Sequence, residues 1–223
     1  MCFSATASFG ASAVLAVISV ASLKQVRHKS QIMFACIPIF FSLQQFTEGI
    51  VWLSFAAPFN ATLNVYGTYA FLIFAQVVWP LWIPIAMVRV ENKGERRKIQ
   101  RVFVAIGVTE AIYQAFCLFN YPVISEITAH HIYYHIDHPD TFKYIDKYIE
   151  PVFYASATIV SPFFTSVKKM WIVALAILIS CVITVVFFQH VSVSVWCFFA
   201  SIISISVYLI MRELRISYKL MKQ

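Results

Sequence analysis

Charge is scarce in this chain. Only 12% of its 223 residues are Asp, Glu, Lys or Arg, about half the share of an average soluble domain. That excludes an ordinary water-soluble globular domain. Glycine is rare as well, with 5 residues. Without glycine-interrupted, paired hydrophobic segments, an inverted-repeat transporter is not expected. No Lys or Arg precedes Lys24. A cleavable secretory signal needs a basic leading region, so the first hydrophobic segment is expected to remain as a helix. No C-x-x-C pair occurs among the 5 cysteines. Cys36, Cys117 and Cys181 read as small apolar fillers. The last hydrophobic segment, Val191–Met211, has no lysine, which excludes a Schiff-base retinal site there.

What the chain has is apolar bulk. Hydrophobic residues make up 61%, with 21 Phe, 11 Tyr and 5 Trp. A membrane-spanning helix needs about 20 mostly apolar residues. Seven segments qualify: Ala7–Leu23, Gln31–Phe55, Val65–Val88, Arg101–Phe119, Pro151–Phe164, Met170–Phe188 and Val191–Met211. Their runs are continuous rather than alternating, so helices are expected and a barrel is not. The fold class is therefore an all-α polytopic bundle of seven transmembrane helices, forming one domain over residues 1–223. A His-rich connection falls at about residues 120–150. A connection of that length is usually functional or folded on itself.

Basic residues between spans set the orientation. Of the 17 Lys and Arg, all but Lys143 and Lys147 fall in the first, third and fifth connections and the tail. This predicts an outside N-terminus and a cytoplasmic C-terminus. Glu126, Asp137, Asp140, Asp146 and Glu150 then lie outside, as does the glycosylation-type triplet Asn60-Ala61-Thr62. The net charge of +7 becomes a cytoplasmic-face feature. Anionic lipid explains it more simply than nucleic acid.

Ionisable groups at membrane depth are costly and mark candidate sites. Two carboxylates qualify, Glu48 and Glu110. Gln44 and Gln45 share a helix face with Glu48, and Gln114 lies one turn beyond Glu110. The alternative reading for each is interhelical hydrogen bonding without a further role. The connection AHHIYYHIDHPD places His131, His135 and His138 at helical spacing, so a helix would align them in one stripe. His131-x-x-x-His135 then suits a metal, although HExxH is absent; an extended segment would dissolve the stripe. Cys2 and Cys197 are expected near the outer face, where a disulfide or a metal is possible. Cys2, Glu48, His131 and Cys197 thus share one predicted depth.

Five blocks carry a resemblance: MCFSATASF, QQFTEGIVW, QVVWPLWIPIAM, HIYY and SVWCFFASIIS. Together they resemble a mainly bacterial membrane family, domain of unknown function 6629, whose members begin Met-Cys-Phe/Trp-Ser. The resemblance covers nearly the whole chain. It implies a multi-span membrane protein with recurrent polar positions at Cys2, Ser4, Gln45, Glu48, His131 and Cys197. It names no reaction.

Three functions compete. One is an intramembrane metal-dependent hydrolase of a lipid-like substrate. In it His131, with His135 or Cys2, holds a divalent metal such as zinc. Glu48 acts as general base on the bound water, and Ser4 orients water or substrate. The second is a channel, transporter or proton-coupled carrier, with Glu48 and Glu110 lining a polar path beside Gln44, Gln45 and Gln114. The third is a membrane sensor or scaffold docking partners on ENKGERRKIQR or RELRISYKLMKQ. Co-location of Cys, His, Ser and Glu favours the first at this level.

Overall fold

Ser4 starts the first helix. Its Oγ accepts a hydrogen bond from the Ala7 amide at 3.2 Å, satisfying one of the free N–H groups at the beginning of α1 (Ala5–Leu23). The computed structural model describes residues 4–128, 131–187 and 192–220. The helices that follow are α2 (Ile32–Ala35), α3 (Ile37–Ser54), α4 (Ala61–Leu72), α5 (Trp79–Val90) and α6 (Gly94–Asn120). A hairpin, β1 (Val123–Thr128) and β2 (His131–Ile136), precedes α7 (Glu150–Ala155), α8 (Met170–Phe187) and α9 (Ser192–Leu220).

Five helical runs among the described residues are long and apolar enough to cross a bilayer: Ala5–Leu23, Lys29–Ser54, Ala61–Val90, Gly94–Asn120 and Met170–Phe187. Such helices are what an integral membrane protein requires. The expected fifth segment, Pro151–Phe164, is built differently. The short helix α7 passes into a π-turn, Ser156–Val160, and a 3-10 turn, Ser161–Phe164. Another π-turn, Ile145–Ile149, precedes it. This run therefore begins with the charged residues Asp146, Lys147 and Glu150.

The His-rich connection takes the extended alternative and adds a small sheet to the expected all-α fold. It is not a helix. β1 and β2 pair antiparallel, with Val123 opposite Ile136 and Thr128 opposite His131. The β-branched and aromatic residues of VISEIT and HIYYHI suit a pleated surface better than a helix. Tyr134 stacks on Phe71, with ring centroids 4.7 Å apart, and so pins the hairpin over the end of α4.

Serine organises the first helix contact. Ser8, Ser12, Ser19 and Ser22 are buried along one face of α1 together with Leu15, at spacings of a two-helix seam. Ser12 Oγ donates to the Ser42 carbonyl and Ser42 Oγ donates to the Ser12 carbonyl, both at 2.8 Å. Small side chains let α1 and α3 approach closely, and each such bond contributes about 0.6 kcal/mol within a membrane. Phe41 stacks on Trp79 at 3.9 Å, inside a core that includes Leu15, Phe34, Met87, Val207 and Met211.

Prolines shape the α5–α6 contact. Pro84 has no N–H, so the Pro80 carbonyl four residues earlier loses its helical donor. Gly107 of α6 lies against that carbonyl, and a Cβ there would overlap it. The glycine is needed for closeness, and its Cα–H points to the unpaired oxygen. A π-turn, Ile73–Val78, frees another carbonyl between α4 and α5. Tyr154 Oη donates to this oxygen, on Ala75, at 2.6 Å.

The basic segments meet at one end. Arg96 donates to the Thr165 carbonyl at 2.7 Å. Lys169 pairs with Glu213 at 3.2 Å, and Arg215 donates to Gln25 Oε1 at 3.0 Å. The loops after α1, α5 and the 161–164 turn thus gather with the end of α9. Glu91 binds them together. Its carboxylate accepts from Ser166 N, Ser166 Oγ and Lys93 N, each within 2.7 Å. Burial pushes the Glu91 carboxyl up, but these hydrogen bonds outweigh it and hold the group below the usual carboxylate range.

Candidate functional site

The hairpin, α6 and the start of α7 line an open cavity of about 320 Å³ at the end opposite the basic loops, with Gln76, Gln114, His135, His138, Asp146 and Glu150 in its wall beside Leu72 and Ile136. Each element brings its residue for a local reason. The π-turn at 73–78 turns Gln76 inward, as π-turns at functional sites often do. Helix α6 carries Glu110 and Gln114 on one face, one turn apart. The turn at 145–149 brings Asp146 beside them, and Pro151 at the start of α7 sets Glu150 above Gln114.

Gln114 is the junction. Its Nε2 donates to Glu110 Oε1 at 2.8 Å and to Glu150 Oε1 at 2.9 Å. Both hydrogens of one amide are then used on two carboxylates from different elements. Tyr113 Oη donates to Asp146 Oδ1 at 2.6 Å. His138 Nε2 stands 2.8 Å from Asp146 Oδ2. Two hydrogen-bonded sets therefore stand at the cavity: Gln114 with Glu110 and Glu150, and Tyr113 with Asp146, with His138 beside Asp146. Glu150 precedes the Pro151-led segment, where burial pushes its carboxyl up to about 8, assisted by the negative charges of Glu110 and Asp146. A carboxyl so placed exchanges its proton near physiological pH.

Polar contacts continue away from the cavity, along the seam between α6 and the 150–164 run. Gln100, fully buried, donates from Nε2 to the Ser161 carbonyl at 2.8 Å. Nearer the basic end comes the bond from Arg96 to Thr165. The seam thus carries polar side chains at three depths.

The second polar cluster lies deeper in the helices. Gln44, Gln45 and Glu48 are fully buried on α3. Trp79 Nε1 donates to Gln44 Oε1 at 2.6 Å, and Gln45 Nε2 donates to Glu48 Oε2 at 3.2 Å. None of the three lines the cavity. Ser4 caps α1 and shares a 3.0 Å hydrogen bond with Thr6.

The histidine pair behaves as a strand requires. His131 is buried on β2, which packs against α9, and His135 is exposed. Four residues of strand separate their Cα atoms by about 13 Å. A single helical turn would have brought both rings to one ion; the strand does not, and the expected His131–His135 metal pair loses its premise. Among the described residues no group of three or more His, Cys, Asp or Glu side chains could hold a metal. Cys2 and the side chain of Cys197 lie outside the described residues.

From the expected set, Glu110 and Gln114 are brought together. Glu150, Asp146 and Tyr113 join them and were not singled out by sequence reasoning. A Glu-Pro step opening an apolar run, after an acidic connection, was the available signal for Glu150.

Comparison with known protein families matches one model, described as a family of unknown function (DUF6629), over residues 1–220. No curated protein and no solved structure matches the chain.

Proposed function

The chain belongs to the DUF6629 family of unknown function, and from that premise we propose that it is a multi-pass membrane carrier that moves protons, alone or coupled to a cation. The observation that carries this reading is the amide of Gln114 bridging Glu110 and Glu150 beside the cavity. Ionisable groups are retained at membrane depth at high cost, and linked acids are the usual parts of proton relays. The cavity is the entry. A proton arriving on Asp146 or His138 passes through cavity water to the Glu150 carboxyl and from it, again through water, to the Glu110 carboxyl, while the Gln114 amide holds the two acids side by side. The buried Gln100–Ser161 contact continues the seam toward the basic end.

The same reading includes seven spans with the C-terminus cytoplasmic. Gathering of the basic loops at one end supports it, because such a bias marks the cytoplasmic side. Pro151–Phe164 then acts as the fifth span, and Glu150, just before it, supplies the relay at its mouth. Anionic lipid is the partner expected at the basic face.

The test is proton flux into sealed proteoliposomes loaded with a pH-sensitive dye. Wild-type protein acidifies the lumen under an imposed potential. Glu150→Gln removes the exchangeable proton and lowers the rate; an unchanged rate contradicts the proposal.

A further inference from the structure

We infer that the groove between α8 and α9 at the basic end binds an anionic phospholipid from the surrounding bilayer. The inference rests on the membrane reading and on the anionic-lipid partner of the proposed function, and it does not depend on the proton relay. The groove is open along one side and holds about 520 Å³, room for a chain lying along the helices. Its walls are apolar, with Ile172 from α8 and Leu209 and Ile216 from α9. These three side chains are exposed in the isolated chain. Its mouth carries Lys169, Arg212 and Glu213.

The charges at the mouth leave room for an anion. Lys169 pairs with Glu213 at 3.2 Å. Arg212 is exposed and has no ion pair or hydrogen bond to another described residue. Lys169 also adopts φ of 64°, a left-handed conformation uncommon for a residue with a side chain. Such strain persists where surrounding structure holds it, often at a binding site. Here it places the lysine at the rim of the groove. An acyl chain fits along Ile172, Leu209 and Ile216, and the phosphate meets Arg212 at the level of the basic loops. A guanidinium is well suited to a phosphate because its fork matches two oxygens. A zwitterionic lipid offers the same chain but no net charge, and a free anion offers the charge but no chain.

The test uses the full chain, purified in detergent and titrated with phosphatidylglycerol, with lipid adducts counted by native mass spectrometry. Phosphatidylcholine and inorganic phosphate are the comparison probes. Phosphatidylglycerol is expected to bind most tightly. Arg212→Gln is expected to weaken it about fivefold, the effect of one basic residue near a lipid surface. Leu209→Trp, which fills the groove, is expected to weaken it as well. Lys98→Gln removes an equal charge from an exposed residue near the start of α6 and is expected to leave binding unchanged. Equal binding of phosphatidylcholine overturns the inference. So does equal weakening by Lys98→Gln, which marks diffuse electrostatics. Competition by inorganic phosphate with no effect of Leu209→Trp marks a plain anion site and also overturns it. A dimer that forms in place of lipid adducts assigns the groove to a second copy, with the same consequence.

Discussion

Gln114 Nε2 lies 2.9 Å from Glu150 Oε1, and this contact joins α6 to the residue that precedes the Pro151–Phe164 run. The same nitrogen serves Glu110, so loss of the amide strands two carboxyl groups at once. Gln114→Leu keeps the volume and removes both bonds. A hydrogen bond of this kind contributes about 0.5–1.5 kcal/mol. The variant is expected to melt several degrees lower and to lose proton flux, while Gln114→Glu keeps an acid in the chain and restores part of the flux.

The raised carboxyl of Glu150 predicts a pH profile with a definite sign. Its folded value of about 8 lies above its ordinary one. The group therefore contributes stability that is present at low pH and is lost as pH rises through about 8. Melting temperature of the wild type is expected to fall over that interval. Glu150→Gln is expected to flatten the fall. A steeper fall in the variant contradicts the assignment.

Glu91 predicts the opposite sign. Hydrogen bonds hold its carboxyl below the ordinary range. Its contribution is present above the unfolded value and is lost as pH falls through the folded one. Glu91→Ala leaves Ser166 and Lys93 amides without their acceptor and is expected to cost about 3 kcal/mol. Denaturant unfolding in detergent reads this directly. Glu91→Gln retains one acceptor and is expected to cost less.

Gly107→Ala tests the close contact of α6 with α5. The added methyl overlaps the Pro80 carbonyl, and overpacking of this kind costs about 1–3 kcal/mol. Gly10→Ala is the control, because nothing lies within 4 Å of a Cβ there. That variant is expected to be neutral or to gain up to about 1 kcal/mol from helix propensity.

Particular residues show what the sequence could carry. The long helices were legible because continuous apolar runs leave the backbone no other way to satisfy its hydrogen bonds in lipid. Glu110 and Gln114 were legible for a related reason: one helical turn puts them side by side. For His131, His135 and His138 the sequence left a helix and an extended segment open. Their spacing fits a helix, but the alternating, β-branched stretches around them fit a hairpin, and the hairpin is what forms. The Ser8, Ser12, Ser19 and Ser22 seam had a readable period that went unused. The Glu91–Ser166 bond joins residues 75 positions apart, and no local pattern marks such a pairing. Glu150 was hidden by its setting, an acidic connection counted as loop, and only the fold sets it over Gln114.

Proton flux in proteoliposomes carrying the Glu110→Gln, Glu150→Gln double substitution tests the central claim most directly. Wild-type vesicles are expected to acidify under a potassium-diffusion potential. The double variant, folded and reconstituted to the same density, is expected to conduct about two orders of magnitude more slowly, the usual consequence of removing proton-transfer groups. A double variant that conducts at the wild-type rate contradicts the relay.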